Sequence, residues 1–373
     1  MIIDISNSRF KDIMGDNELS LPIRWDGSDF SETLSILFDQ YKNKLKASGN
    51  INGCGSLIKV DIELVEKICK LIIKAVDSQL NGFPSSAYYY FTRAMNLLMD
   101  SPLRLYEKTP WELFNEEIGI KPSKKLDLYR AVGVDDNKPY DRTRVFHTPF
   151  NLRSKVSTSR YSIAGYPSLY LGTSLELCCE EIHRDPYQNL TLASGFKFAG
   201  SSIYNNEYSN IEVIELVIKP QDFNEAENRR DNGRQISANV LNDIDTKRKY
   251  LLWYPLIAAC SYIRTYKNDP FAPEYIIPQL LMQWARRKFK NKTTWGRIIG
   301  IRYFSCSSVR ASDMGFNYVF PTSGEWLSYN DLPYCLILSD AFRLTKPVYI
   351  HEYATIRECE NALKNSTDFE HLK

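Results

Sequence analysis

The chain has 373 residues and a mass of 43.2 kDa, with 43% hydrophobic and 25% charged residues and a net charge of +2. That size accommodates one large domain or two ordinary ones, with ample apolar material for a core. The near-neutral balance excludes a general electrostatic field for nucleic acid or membrane.

The eight cysteines form no CxxC pair and no disulfide-framework spacing, the pattern of a reducing compartment. The N-terminal MIIDISNSRFKDIMGDNE lacks a basic stretch followed by an apolar core, so no signal peptide is expected. The longest apolar stretch, Tyr250 to Ile263, contains Pro255 and falls well short of the ~20 residues of a membrane span. A cytoplasmic protein with no membrane partner is expected.

Residues 1 to about 120 read as a mainly helical N-terminal domain with a regulatory or partner-binding role. KASGNINGCGS, residues 46 to 56, reads as a loop. From Asp61 onward, Val65, Ile68, Cys69, Ile72, Ala75 and Val76 recur at helical spacing, with lysines and glutamates on the other face. SSAYYYFTRAMNLLMD predicts a second helix with Ser85 or Ser86 as its cap. Pro122 and the lysines around it mark a linker, which places the boundary at about residues 115 to 125.

Beyond it the texture changes. Short β-rich runs occur at LDLYRAV, SLYLG, IEVIELVI, IIGIRYFS and KPVYIHEY. Helices are predicted at DIDTKRKYLLWYPLIAACSYI and PEYIIPQLLMQWARRKF. Residues 121 to 373 therefore read as one α+β domain.

Within it, RYSIAGYPSLYLGTSLELCCEEI, residues 160 to 182, is the densest stretch of polar and aromatic chemistry. Gly165, Tyr166 and Pro167 turn the chain, and SLYLG follows as a short buried strand. Thr173 with Glu176 has the spacing of a capping box, so a helix is expected from there. On that helix Leu175, Cys178, Cys179 and Ile182 share one face. At ~100° per residue, Glu180 points away from that face to water and Glu181 stands at its edge. Glu181 is the carboxylate placed to line a cleft.

The same run resembles the RES domain family. Its signature elements match Arg160-Tyr161-Ser162, Gly165, Leu169-Tyr170-Leu171 and Glu181. An earlier Tyr129-Arg130, a later Gly300-Ile301 with Tyr303 and Ser305, and Gly315-Phe316-Asn317 follow the family's order. FHTPFNLR, residues 146 to 153, and EYIIPQLL, residues 274 to 281, look like its longer branch. The resemblance covers roughly residues 125 to 325, and Tyr-Ser stands where short RES proteins often have Trp-Asn. It implies an ADP-ribosyltransferase-like fold with a split β-sheet core and surrounding helices. It further implies consumption of NAD+ as substrate, with no cofactor, by hydrolysis or phosphorolysis of the nicotinamide–ribose bond. A toxin held by a cognate antitoxin or regulatory protein is the setting it suggests, and a homo-oligomer is compatible with it.

The residue types suit that chemistry. Loss of nicotinamide leaves an oxocarbenium-like ribose, as glycosidic cleavage does, and a carboxylate such as Glu181 stabilises it. Arginine supplies planar, permanently charged donors for a pyrophosphate, and Arg130, Arg153 and Arg160 are the candidates. On an extended chain Arg153 and Arg160 stand about 23 Å apart at ~3.3 Å per residue, so they share one ligand only at different ends or across a folded loop. Tyr161 and Tyr170 suit the core as well as a ligand contact. Ser305 suits a strand edge as well as a hydrogen bond to substrate or to Glu181. Ser162 and Asn317 complete the ligand-binding candidates.

Other chemistries find little support. ARRKFKNKTTWGR, residues 285 to 297, reads as a solvated helix end, so nucleic acid is not expected as a partner. The four histidines form no ligand-spaced cluster, so no metal site is expected, and neither a Walker loop nor a GxGxxG is present, so no P-loop or Rossmann site is indicated. Two rivals to NAD+ cleavage stand: an ADP-ribosyltransferase that modifies a macromolecule, and a catalytically silent binding module.

Overall fold

The computed structural model describes residues 2–48, 58–100, 106–110, 127–198, 210–225, 236, 238–288, 299–323 and 333–372. In chain order it opens with β1 (Ile2–Ile5), α1 (Asn7–Met14), β2 (Ile23–Arg24), α2 (Phe30–Ser48), β3 (Ile58–Asp61), α3 (Ile62–Leu80) and α4 (Pro84–Asp100). There follow β4 (Tyr106–Pro110), β5 (Leu128–Gly133), β6 (Ser168–Gly172), α5 (Leu175–Glu181), β7 (Thr191–Phe198) and β8 (Asn210–Leu216). Then come α6 (Asp222–Glu225), α7 (Ala238–Asn242), α8 (Ile244–Ala259), β9 (Tyr262–Ile263) and α9 (Ile276–Lys288). The chain closes with β10 (Ile299–Phe304), β11 (Phe316–Pro321), α10 (Leu336–Ala341), β12 (Phe342–Leu344), β13 (Val348–Tyr349), α11 (Ile356–Lys364) and β14 (Glu370–His371). The fold is α+β. Among the described residues no helix is long and apolar enough to cross a membrane.

Two compact units divide the chain. One comprises Met1–Tyr106, Ile218–Arg230 and Ile236–Trp284; the other comprises Glu107–Val217, Asp231–Gln235 and Ala285–Lys373. Pro122 and most of the loop read at residues 46 to 56 lie outside the described residues, as does the boundary expected at 115 to 125.

The first unit is mainly helical. Asp61 caps α3 by accepting from the N–H groups of Glu63 and Leu64, two of the donors a helix start leaves unpaired. The buried face of α3 includes Val65, Ile68, Cys69, Ile72, Ala75 and Val76, as the spacing predicts. Neither Ser85 nor Ser86 caps α4, which starts at Pro84; a missing N–H is harmless in a first turn.

Residues 218–230 and 236–284, read from the sequence as part of the C-terminal domain, group with this unit. The reason is α8, buried at every position from Tyr250 to Ala259. A helix that is apolar all round has to be covered all round, and α8 packs on β3 and α3. It also carries Pro255 in its interior. Proline lacks the N–H that would bond the carbonyl four residues back, here Leu251, and the Tyr41 hydroxyl of α2 donates to that carbonyl instead.

The second unit is built on a mixed sheet of order β14-β12-β7-β5-β6-β11-β10-β8-β4, with β13 also paired to β7. β8 and β10 run parallel, whereas β10–β11, β11–β6 and β5–β7 are antiparallel. β5 matches β7 from Leu128 to Gly133, yet it meets β6 at the single pair Tyr129↔Gly172. The sheet is thus two half-sheets joined at a seam. From the seam one cross-strand row runs Tyr129–Gly172–Asn317–Tyr303 through β5, β6, β11 and β10. β5, β6, β8 and β10 fall on predicted runs, while KPVYIHEY contributes only the two-residue β13.

A buried histidine ties the FHTPFNLR run to α10. His147 Nδ1 contacts the Thr148 carbonyl at 2.8 Å, and its Nε2 accepts from the Cys335 N–H at 2.9 Å. Burial pushes the imidazole down to about 4.

Two tests follow from these contacts. Tyr41→Phe strands the Leu251 carbonyl and should cost about 1–3 kcal/mol in urea unfolding. In the double variant with Pro255→Ala the restored N–H takes over that carbonyl, so the two effects should be strongly non-additive. The second test is acid. A depressed folded pKa gives His147 a stabilising contribution that is present above its ordinary ~6.5 and lost as pH falls towards about 4. The melting temperature of His147→Gln should therefore fall less steeply than that of the wild type between those pH values.

Candidate active site

The seam sets the position of α5. Gly172 ends β6 where a Cβ would stand 2.7 Å from Cys178 Sγ, and that thiol donates to the Tyr129 carbonyl at 3.2 Å. Burial pushes the Cys178 thiol up, out of reach of ionisation at neutral pH. The helix is held at its start by three hydrogen bonds from two side chains. Ser174 Oγ accepts from the Leu177 N–H at 3.2 Å and donates to the Met314 carbonyl at 2.9 Å. Glu360 of α11 accepts from the Leu175 N–H at 2.6 Å.

The cap is therefore Ser174, not Thr173. Thr173 Oγ1 is taken by the Phe316 N–H at 2.9 Å, a tie from the end of β6 to β11. The expected apolar face is present: Leu175, Cys178 and Cys179 are buried, with Ile182 packed against them.

At the last turn Glu181 projects towards β10 and β11. Its Oε1 accepts from Ser305 Oγ at 2.6 Å and from Asn317 Nδ2 at 2.5 Å. Ser305 is fully buried and Asn317 is 5% exposed. Both bonds are charge-assisted and converge on one oxygen, which fixes the plane of the carboxylate. Oε2 makes no hydrogen bond to a described residue.

Glu180 is not the solvated neighbour expected from helical phase. It is half-buried, and its carboxylate accepts from Ser308 Oγ at 3.3 Å. The outer side of α5 is covered by the loop after β10, which also ties Arg310 to Glu176 at 3.2 Å. A phase argument on a lone helix contains no such loop.

The remaining candidates divide into two groups. Arg160, 8% exposed, donates to the Cys306 carbonyl beside Ser305 at 3.4 Å. Tyr161 is buried against Tyr303, with ring centroids 4.7 Å apart. Tyr170 shares a 2.8 Å hydrogen bond with the buried Ser162, whose hydroxyl donates to Ser168. Arg130 donates to the Tyr170 carbonyl at 3.0 Å. Its Nε–H has no partner among the described residues, and no described carboxylate pairs with it. Burial lowers its guanidinium to about 10, still charged at neutral pH.

Arg153 stands apart. It lies over the rings of Phe150, at 4.8 Å, and Tyr166, at 5.9 Å, and no described contact ties it to Glu181.

One neighbour of Glu181 is named in the sequence only as part of the family resemblance, without a role. Tyr303 lies opposite Asn317 in the ladder and has Glu181, Tyr170, Tyr161 and Arg160 as charged or titratable neighbours. The sequence resemblance places Tyr303 on the same run as Ser305, which follows the end of β10.

No protein-family model matches the chain, and no solved structure matches it. Over 363 residues it is 25% identical to a protein of Bacillus subtilis (strain 168) named "Putative toxin YopC", a match covering 93% of this chain and 72% of that one.

If the seam seats α5 as described, Gly172→Ala should drive a methyl group into Cys178 Sγ. The expected cost is about 1–3 kcal/mol, read as a lowered urea midpoint with unchanged slope. An unaffected midpoint would mean that α5 moves freely relative to β6.

Proposed function

We propose that this chain is a RES-like enzyme that cleaves the nicotinamide–ribose bond of NAD+ and acts as a growth-inhibiting toxin. The observation that carries the reading is the Glu181 carboxylate, with one oxygen clamped by Ser305 and Asn317 and the other open. The toxin role draws on the relative's name, and the division of the sheet at one residue pair supports an ADP-ribosyltransferase-like core.

In this reading the N–C1′ bond breaks with its electron pair going to the nicotinamide nitrogen, which becomes neutral. No proton is required by the leaving group. The ribose C1′ gains oxocarbenium character, and Glu181 faces it with a negative charge already oriented. Water or phosphate then adds through oxygen at C1′, giving ADP-ribose and a released proton, or ADP-ribose 1″-phosphate.

Ser305 and Asn317 position the carboxylate. The buried guanidinium of Arg130, lacking a carboxylate partner, suits the pyrophosphate, because a buried unpaired charge favours an anionic ligand. Arg160 supports the same end of the site. Tyr170 and Ser162 shape the wall, and Tyr161 acts by packing. Arg153, beside the exposed ring of Tyr166, is assigned to the far end of the dinucleotide. NAD+ is the substrate and no cofactor is invoked. The mainly helical unit is assigned to recognition of a cognate antitoxin or regulatory protein.

The test is nicotinamide release from NAD+ by the purified protein, with and without phosphate to identify the acceptor. Glu181→Gln keeps shape and loses charge, and should lower turnover by about 10²–10³-fold. Glu180→Gln, which alters one long hydrogen bond to Ser308, should stay near wild type. Equal losses in both variants, each folded by circular dichroism, would remove Glu181 from its role. Transfer of radiolabel from NAD+ to protein would move the reading to a macromolecule-modifying transferase.

A further inference from the structure

The α3–α4 hairpin carries a charged aromatic face that the mechanism above leaves unused. Lys70 and Lys74 leave the exposed side of α3 one turn apart, and Arg93 leaves the exposed side of α4. Lys74 Nζ lies 5.4 Å over the ring of Tyr90, and the Arg93 guanidinium lies 5.7 Å over that of Tyr89. The two rings meet edge to face with centroids 5.4 Å apart. A continuous line Lys74–Tyr90–Tyr89–Arg93 therefore crosses from one helix to the other. Tyr89 is 57% exposed, and Phe83, at the turn between the helices, is 62% exposed.

Among the described residues Lys70, Lys74 and Arg93 form no ion pair. Carboxylates of the same hairpin are engaged elsewhere. Glu66 pairs with Lys46 of α2 at 2.5 Å, Asp77 accepts from the Ser31 hydroxyl of α2, and Glu63 has Lys67 as its neighbouring charge. The face is thus positive although the chain as a whole is close to neutral. Seating on a ring also restricts a long cationic side chain before any ligand arrives, which lowers the entropy cost of binding.

We propose that this face docks an acidic segment of a protein partner, whose carboxylates meet Lys70, Lys74 and Arg93 and whose apolar side chains cover Phe83. Carboxylates three or four residues apart on a partner helix repeat at ~5.4 Å, the pitch at which Lys70 and Lys74 recur along α3. Nucleic acid fits the face less well. Bases stack on a flat aromatic surface, whereas these two rings stand at 64° to each other beneath their cations. The inference rests on the assignment of the helical unit to partner recognition and deepens it by giving the place and the chemistry of the contact. It is independent of NAD+ cleavage.

The experiment measures binding of a fluorescently labelled polyglutamate peptide to the full chain. Wild type should bind it saturably, and more weakly as salt is raised. The combined variant Lys70→Glu, Lys74→Glu and Arg93→Glu should bind at least about tenfold more weakly. Lys267→Glu, Lys346→Glu and Arg357→Glu together remove the same charge from exposed positions elsewhere, and should stay within about twofold of wild type. Tyr89→Ala should weaken binding about two- to fivefold. If the reversals disturb folding by circular dichroism, Gln at residues 70, 74 and 93 removes the charges without adding repulsion and is judged by the same comparison. Absent wild-type binding, or equal weakening by both sets of reversals, overturns the inference. Binding that survives reversal at 70, 74 and 93 overturns this hairpin as the docking face while leaving partner recognition to the rest of the unit. Tighter binding of an oligothymidylate of equal charge, lost in the same variant, would give the face to nucleic acid and overturn the protein partner.

Discussion

Where β5 meets β6 the two strands share one residue pair, and Gly172 on one side of it has no Cβ because Cys178 Sγ occupies that space. The thiol donates to the carbonyl of Tyr129 on the other side of the pair. A short helix is thereby seated on the seam of the sheet by a contact that any larger residue at 172 would disturb. The rest of the site inherits its geometry from that contact. α5 has only seven residues, so fixing Cys178 fixes Glu181 less than one turn later. Asn317, the partner of Gly172 on β11, is then within 2.5 Å of the carboxylate.

The electrostatics follow from the same geometry. Both donors to Glu181 reach one oxygen, so the carboxylate is oriented without being neutralised, and no arginine is spent on it among the described ion pairs. Arg160 is engaged by the Cys306 carbonyl and Arg130 by that of Tyr170. For Arg130, which has no described carboxylate partner, the carbonyl holds the guanidinium in place without neutralising it. The arrangement keeps Glu181 and Arg130 as separate centres of opposite charge. A direct Arg–Glu pair would have cancelled them against each other.

What could be read from the sequence was what depends on near neighbours along the chain. The buried face of α3, the strands SLYLG and LYRAV, and the apolar face of α5 rest on periodicity, and they appear at the predicted residues. Thr173 was mistaken for the cap because a hydroxyl three residues before a glutamate fits the pattern, but Phe316, 143 positions away in sequence, claims that hydroxyl. Glu180 was assigned to water because helical phase contains no loop from residues 305 to 310. The grouping of residues 236–284 with the N-terminal helices was invisible for a similar reason: an all-round apolar helix announces that it needs cover without naming what covers it. Tyr303 enters the sequence reading only as part of the family resemblance, without a role, because its place opposite Asn317 depends on the pairing of β10 with β11.

The two units also share a device that residue propensities do not predict. In each, one element lacks a group that its backbone type would normally supply, and a side chain from a different element fills the gap. Pro255 withholds an N–H from Leu251, and the Tyr41 hydroxyl supplies the donor. Gly172 withholds a Cβ, and Cys178 occupies the volume and bonds across it. Scored alone, a proline inside a helix and a glycine ending a strand both count against those elements. Paired with their complements they make a particular partner necessary. Tyr41 binds α2 to α8, and Cys178 binds α5 to the seam. An exchange such as Pro255→Ala improves local helix propensity and yet sets a new N–H in competition with Tyr41 for one carbonyl. Specificity of packing here arises from matched omissions, which is why the elements that carry them are held to one neighbour rather than to any apolar surface.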